Sequence, residues 1–238
     1  MKINWNYIKI VILLGLVILL FSFAKNRNKL RSIEKIDITF TDGENLYITK
    51  AAVNKLLIQK IGEPENLSKD TLDLSTLERE LNEQDMIANA DVYLTVDGIL
   101  GVRISQRKPI GRVFSENPFY IDTDGKAMPL SSFHSARVPV LMGIDEKNSK
   151  EVFPLLKEIE KRAFLKNHIV GIKRFSNGIY ELKMRNLDFV VALGNIEDLE
   201  RKITNFMAFY KKAKKENLLD KYKKVDLRFS NQVVATKN

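Results

Sequence analysis

Ala90-Asp91-Val92-Tyr93-Leu94-Thr95-Val96 and Ile99-Leu100-Gly101-Val102-Arg103-Ile104-Ser105 are two alternating runs joined through Asp97-Gly98. An Asp-Gly pair between such runs predicts a β-hairpin with a two-residue turn. Upstream, Ser75 followed by Glu78 reads as a capping box that opens a short helix carrying Leu77 and Leu81. Before it, Thr49 is placed to cap a helix with Ala52, Val53, Leu56, Leu57 and Lys60, ended by Gly62 and Pro64. Ile33 to Phe40 alternates, with Ile36, Ile38 and Phe40 on one face and Lys35, Asp37 and Thr39 on the other, as in a half-buried strand. The order strand, helix, helix, strand, strand predicts a compact α+β unit in which two helices cover one face of a three-stranded sheet.

After Gln106-Arg107-Lys108-Pro109 the pattern changes to short strands: Ile110 to Phe114, Pro118 to Ile121 and Val138 to Met142, with a turn at Asp122-Thr123-Asp124-Gly125. A helix is expected from about Ser149 to Phe164, then a meander of Ile169 to Phe175, Ile179 to Met184 and Phe189 to Leu193, whose first turn is Asn177-Gly178. Asn195 is placed to cap a long helix with apolar Ile196, Leu199, Ile203, Phe206, Met207, Tyr210 and Ala213, acids in its first turn and lysines in its last. Val225 to Phe229 and Gln232 to Thr236 close the chain as strands. In the first of these, Val225, Leu227 and Phe229 are expected inward and Asp226, Arg228 and Ser230 outward, with Arg228 able to meet an acidic partner side chain. A chain ending in a strand leaves a sheet edge to which a partner's strand can add, unless that strand is internal or merely solvated. The second domain is thus a larger mixed β domain with helices packed on one face.

At the other terminus, Ile8 to Ala24 is a run of seventeen residues interrupted by a single charge, Lys9, after Trp5 and Tyr7. As a helix it spans roughly 25 Å at 1.5 Å per residue, and a snorkelling lysine with interfacial aromatics extends that reach toward the ~30 Å hydrocarbon core. The competing reading is a signal peptide cleaved after Ser22-Phe23-Ala24. Lys25, Arg27, Lys29 and Arg31 directly beyond that point favour an uncleaved anchor.

The 238 residues hold 39 Lys and Arg against 30 Asp and Glu, a formal charge of +9, and no cysteine. Without cysteine there is no disulfide scaffold, thiol nucleophile or thiolate-bound metal. The basic excess concentrates between Arg201 and Lys224, where nine basic residues face Glu216 and Asp220. Such a run is a solvated helix face or a surface for an acidic protein or membrane, and no nucleic-acid-binding signature accompanies it. His134 and His168, 34 residues apart, have no partner at metal-ligand spacing. No Gly-x-Ser-x-Gly elbow, phosphate loop or dinucleotide fingerprint is present. Asp122-x-Asp124-Gly125 fails as a calcium loop because its twelfth position is Phe133. No cofactor, metal, small-molecule substrate or catalytic residue is expected.

The order of a short tail, one anchor, a strand-helix-helix-strand-strand unit and a β-rich domain resembles the bacterial division protein family FtsQ, also called DivIB. The residues carrying the resemblance are Gln106-Arg107-Lys108-Pro109-Ile110, Phe119-Tyr120-Ile121-Asp122-Thr123-Asp124-Gly125 with Pro129-Leu130, Val138-Pro139-Val140-Leu141-Met142-Gly143, and Val225-Asp226-Leu227-Arg228-Phe229 with Asn231-Gln232-Val233-Val234. Gln106 stands where the family usually shows glutamate. The resemblance implies a cytoplasmic tail at residues 1–7, a membrane helix at 8–24, a basic linker at 25–31, a POTRA domain at 32–108 and a β domain at 109–238. It further implies a single-pass protein of the cytoplasmic membrane, its soluble part outside the cytoplasm, acting at the division septum as a non-enzymatic scaffold. Its implied partners are FtsB and FtsL, with a strand of FtsB received at a surface comprising Arg228, Phe229, Ser230, Asn231, Gln232, Val233 and Val234. The alternative is a secreted POTRA-containing chaperone or outer-membrane assembly factor with a cleaved signal peptide.

Overall fold

The computed structural model describes residues 5–29, 33–41, 43, 46–62, 72–229 and 232–238, with all of their side chains except those of 6, 8 and 24–29. Of the residues expected to matter, Asp42, Pro64, Ser230 and Asn231 lie outside the described residues. The chain divides into two units, Met1–Gln106 and Arg107–Asn238.

The first helix, α1 (Trp5–Lys29), encloses the expected span and continues through Lys25 to Lys29, where a linker was expected. Large apolar side chains from Ile10 to Phe23 are exposed on every side of it. Among the described residues no helix is long and apolar enough to cross a membrane. The unbroken run of described side chains in α1 is 9–23, so Ile8 and Ala24, the ends of the expected span, fall outside it.

The remainder of this unit is β1 (Lys35–Phe40), α2 (Lys50–Ile61), α3 (Leu74–Asn82), β2 (Ile87–Leu94) and β3 (Ile99–Gln106). The central strand is β3, parallel to β1 and antiparallel to β2. Thr49 caps α2 as expected, its side chain accepting from the Ala52 N–H at 3.1 Å, and Gly62 ends the helix at φ +81°. The expected capping box of Ser75 and Glu78 does not form. Asp73 caps α3 instead, accepting from the Ser75 and Thr76 N–H groups at 3.1 Å each and from both hydroxyls. A carboxylate outcompetes a hydroxyl for these donors, and the Ser75 and Thr76 bonds hold the Asp73 carboxyl down at about 2.

The Asp-Gly hairpin is present with a different turn. Thr95 N–H bonds Ile99 C=O and Gly98 N–H bonds Thr95 C=O, so Val96 and Asp97 are the central residues. Gly98, at φ +93°, is the one left-handed position of this loop. Asn177-Gly178 and Asp124-Gly125 repeat the pattern, as Gly178 N–H bonds Phe175 C=O and Gly125 N–H bonds Asp122 C=O. A type I turn with a trailing glycine needs positive φ only at the glycine, which is why Asp and Asn before it suffice.

Val53 and Leu57 of α2 and Leu77 and Leu81 of α3 bury against Ile38, Ala90, Val92, Leu100, Val102 and Ile104 of the sheet. Gln106 is 6% exposed, and its Oε1 accepts from the N–H groups of Tyr47 and Ile48 at 2.8 and 3.2 Å. An amide oxygen does here what a glutamate oxygen can also do.

The second unit is β4 (Pro109–Phe114), β5 (Phe119–Asp122), β6 (Ala127–Pro129), β7 (Val140–Met142), α4 (Ser149–Lys161), α5 (Ala163–His168), β8 (Ile169–Arg174), β9 (Tyr180–Met184), β10 (Val190–Gly194), α6 (Leu199–Lys215), a 3-10 turn at Leu219–Lys221, β11 (Tyr222–Asp226) and β12 (Val234–Lys237). The strands form one sheet in the order β12-β11-β10-β9-β8-β7-β4-β5-β6. Three helices pack against its core side through Leu155, Leu156, Leu165, Ile203 and Phe206.

Three expectations change here. The single helix from Ser149 breaks at Arg162, whose backbone is extended, and β6 was not foreseen. Asp198, in the left-handed conformation at φ +51°, precedes α6, while Asn195 serves Lys202, whose Nζ donates to its backbone and side-chain oxygens at 2.9 and 2.8 Å. Burial of that ammonium pushes its pKa down, and the two acceptors offset the lost hydration.

Asp122, 1% exposed, stabilises its own hairpin by accepting from the Asp124 and Lys126 N–H groups and pairing with Arg107 at 3.2 Å. Gly143 ends β7 at φ +72°, and a Cβ there would lie 2.2 Å from the Arg174 carbonyl oxygen. Backbone cannot yield as a side chain would, so Gly143→Ala is expected to destabilise the second unit by about 2 kcal/mol or more, read as a lower midpoint in chemical denaturation.

Candidate strand-acceptor site

β11 is internal, parallel to β10 on one side and antiparallel to β12 on the other, so the first of the two closing strands offers no free flank. The edge belongs to β12. Its register pairs Asp226 with Val234, Val225 with Ala235 and Lys224 with Thr236. Leu227 N–H donates to Ala192 C=O, which sets the alternation: Leu227 and Val225 bond toward β10, Lys224 and Asp226 toward β12. The bonded partners in β12 are therefore Thr236 and Val234. Ala235 and Lys237, and Val233 by continuation, turn N–H and C=O outward. A register shift between Tyr222 and Lys224 breaks the alternation of β11, but that of β12 continues, as Asn238 N–H bonds Lys221 C=O.

The expected surface residues are distributed unevenly around this edge. Val234 opens β12, and Gln232 and Val233 lead into it. Ala235 and Val233 pack their side chains against the core, whereas Val234 is 38% exposed. The strand expected to run through Phe229 ends at Asp226, so Arg228 and Phe229 belong to the segment after it. Val225 and Leu227 are buried as expected, but Phe229 is 48% exposed and Asp226 only 7%. The inversion has a cause. Asp226 accepts from Arg228 Nε at 2.9 Å and Nη2 at 2.5 Å and from the Arg228 backbone N–H at 3.1 Å. Gly194 makes room for this clamp, since a Cβ there would sit 2.8 Å from Arg228 Cγ. Arg228 is thus committed first to its own chain. These bonds from Arg228 hold the Asp226 carboxyl below the usual carboxylate range against the opposing effect of burial.

The remaining edges are managed differently. In the second unit the far edge is β6, three residues ending in Pro129, which lacks a donor. In the first unit β1 is edged by exposed Lys35, Asp37 and Thr39. The long edge strand β2 is closed by side chains of α3. Ala90 N–H donates to Asn82 Oδ1 at 2.8 Å, Asn82 Nδ2 returns a bond to Ala90 C=O at 3.3 Å, and Val92 N–H donates to Glu78 Oε2 at 3.2 Å. The Asn82 amide thereby imitates one residue of a neighbouring strand. Sequence reasoning assigned Glu78 to a cap because an i, i+3 spacing from Ser75 looks the same in both roles.

The chain is thus a two-unit α+β protein that, among the described residues, closes one long sheet edge and leaves another open. Residues 108–236 match the family model described as FtsQ/DivIB, C-terminal related, and residues 32–105 match a POTRA-like domain. The chain belongs to the FtsQ/DivIB family, a family of division-related scaffold proteins. No curated protein matches the chain.

Removing the α3 plug with Glu78→Ala and Asn82→Ala together is expected to cost the first unit about 2 kcal/mol, roughly 1 per lost bonding side chain. The folded double variant should also self-associate through β2 at concentrations where the parent chain does not, as read by sedimentation velocity. A second prediction concerns pH. The folded value of Asp226 lies below its ordinary 3.8, so its stabilisation is complete above that value and is lost as pH falls through the lower folded one. The stability gap between the parent and Asp226→Asn should therefore be constant from pH 7 to about 5 and shrink below pH 4 in urea denaturation.

Proposed function

We propose that this chain is a non-enzymatic, membrane-anchored scaffold of the bacterial division machinery that takes an extended segment of an FtsB-type partner as an added strand beside β12, and through it FtsL. The observation carrying this reading is the position of β12 at the end of the nine-strand order with its outward Ala235 and Lys237 backbone groups. Added strands gain affinity from main-chain bonds, which any extended peptide can make, and selectivity from side chains flanking the edge. Here those flanks are Val234, Phe229 and Arg228, with Lys224 and Lys237 adding positive charge. Ser230, Asn231, Gln232 and Val233 complete the proposed surface.

Anchoring is proposed from the sequence run Ile8 to Ala24 together with α1. Ile8 to Ala24 as a helix covers roughly 25 Å, and Lys9 with Trp5 and Tyr7 extends that reach toward the ~30 Å hydrocarbon core. A helix apolar on every side gains nothing from water and suits lipid. With the amino terminus in the cytoplasm, the second unit and the part of the first beyond α1 lie outside it, and the protein works at the septum. Retention of Trp5 in the mature protein, read by mass spectrometry, distinguishes this from a secreted chaperone cleaved after Ala24.

The strand-addition step is tested at Ala235. Proline there removes one outward donor without touching the inward bonds of Val234 and Thr236. Ala235→Pro in the full-length chain should weaken capture of the FtsB-type partner at least tenfold, while Ala235→Gly, which keeps the donor, should stay within a few-fold of the parent. A folded Ala235→Pro chain binding at parental strength contradicts the mechanism.

A further inference from the structure

Sheet topology gathers positive charge at one end of the second unit. β8, β10 and β11 begin there and β9 and β12 end there, as the pairs Ile169 with Met184, Val190 with Lys183 and with Lys224, and Tyr222 with Lys237 establish. Because β10 and β11 are parallel, the intervening α6 runs back and delivers its carboxyl end to the same place. Exposed Lys183, Lys215, Lys221, Lys223 and Lys237 lie there with Asp188, Glu216 and Asp220, while Glu158 and Glu160 at the carboxyl end of α4, which returns from β7 to the parallel β8, are paired with Lys161, Arg162 and Lys166. The negative end of the α6 dipole faces its own lysines and absorbs part of this charge. Even so, Lys211, Lys212, Lys214 and Lys215 have no ion-pair partner among the described residues.

Between α5 and α6 at this end lies a half-open groove of about 310 Å³. Phe164, His168, Met207 and Tyr210 line it, and Lys211 and Lys214 stand on its rim. The walls pack on one another: His168 stacks on Phe164 at 4.4 Å with its Nδ1 bound to the Phe164 carbonyl at 2.7 Å, and Tyr210 meets Phe164 edge-on at 4.7 Å. Aromatic and methionine side chains in a hollow, with Lys211 and Lys214 beside them, match the anchor pocket of a protein interface.

We propose that this groove docks an acidic amphipathic helix of a partner protein, an apolar side chain entering the hollow and carboxylates on either side meeting Lys211 and Lys214. This site is separate from the β12 edge and does not rest on the strand-addition reading. An anionic bilayer surface is the competing occupant. It is disfavoured because a membrane calls for protruding apolar wedges, and among the described residues Val190, at 37%, is the exposed large apolar side chain at this end. A hollow accepts a side chain and offers a flat lipid surface nothing.

The test uses the full-length chain in its native membrane, with Lys215 replaced by a diazirine-bearing lysine analogue, irradiated in growing cells and analysed by mass spectrometry of the cross-linked peptide. The expected adduct is a peptide with clustered Asp and Glu and apolar residues at helical spacing, its yield falling at least tenfold in a Lys211→Glu, Lys214→Glu background. Lipid adducts, absence of any adduct, or a yield indifferent to the charge reversal would each overturn the proposal. Retained capture of the β12 partner by the charge-reversed chain shows that it is folded.

Discussion

Backbone hydrogen-bond valence is the constraint on which this structure turns. Every strand residue has one donor and one acceptor to satisfy, and a sheet must end somewhere. In the second unit the sheet ends at β12, where two successive strands point opposite sets of groups at their neighbours. Leu227 bonds back to Ala192, Lys224 and Asp226 bond forward, and the outward groups of Ala235 and Lys237 face no further strand among the described residues. The core under this edge, from Val225 and Leu227 to Phe206 and Tyr210, holds the ladder in register. The clamp between Asp226 and Arg228 fixes the segment that leads from β11 toward β12.

An open edge is hazardous as well as useful, because it pairs with any extended chain. The contrast with β2 makes the point. That strand is eight residues long and β12 only four, yet the longer edge is occupied by Asn82 and Glu78 while the shorter one is left available. Openness is thus a property of particular side chains as much as of strand order. The proline at the end of β6 has the same effect by removing a donor.

Local features of this fold were readable from residues alone wherever the physics is local. Thr49 capped its helix, Gly62 ended it, and three Asp-Gly or Asn-Gly pairs marked hairpins, because each depends on a few neighbouring dihedral angles. The turn type was misread since the same dipeptide serves at the turn centre or one position later, and only the sign of φ at Asp97 separates them. Glu78, Asn195 and Arg228 were given local or outward roles that nearby sequence supports equally well. Their actual partners, Val92, Lys202 and Asp226, depend on how elements meet or on a single buried carboxylate. Whether β12 has a vacant flank could not be read at all, because strand order is set by contacts across the entire second unit.

The most direct measurement is residue-resolved amide hydrogen exchange over Gln232 to Asn238 in the free, full-length protein. An available edge predicts an alternating pattern: slow exchange at Val234 and Thr236, whose N–H groups bond to β11, and near-unprotected exchange at Ala235 and Lys237. Uniformly slow exchange at all four amides would mean that the outer flank is already occupied, and would contradict the account.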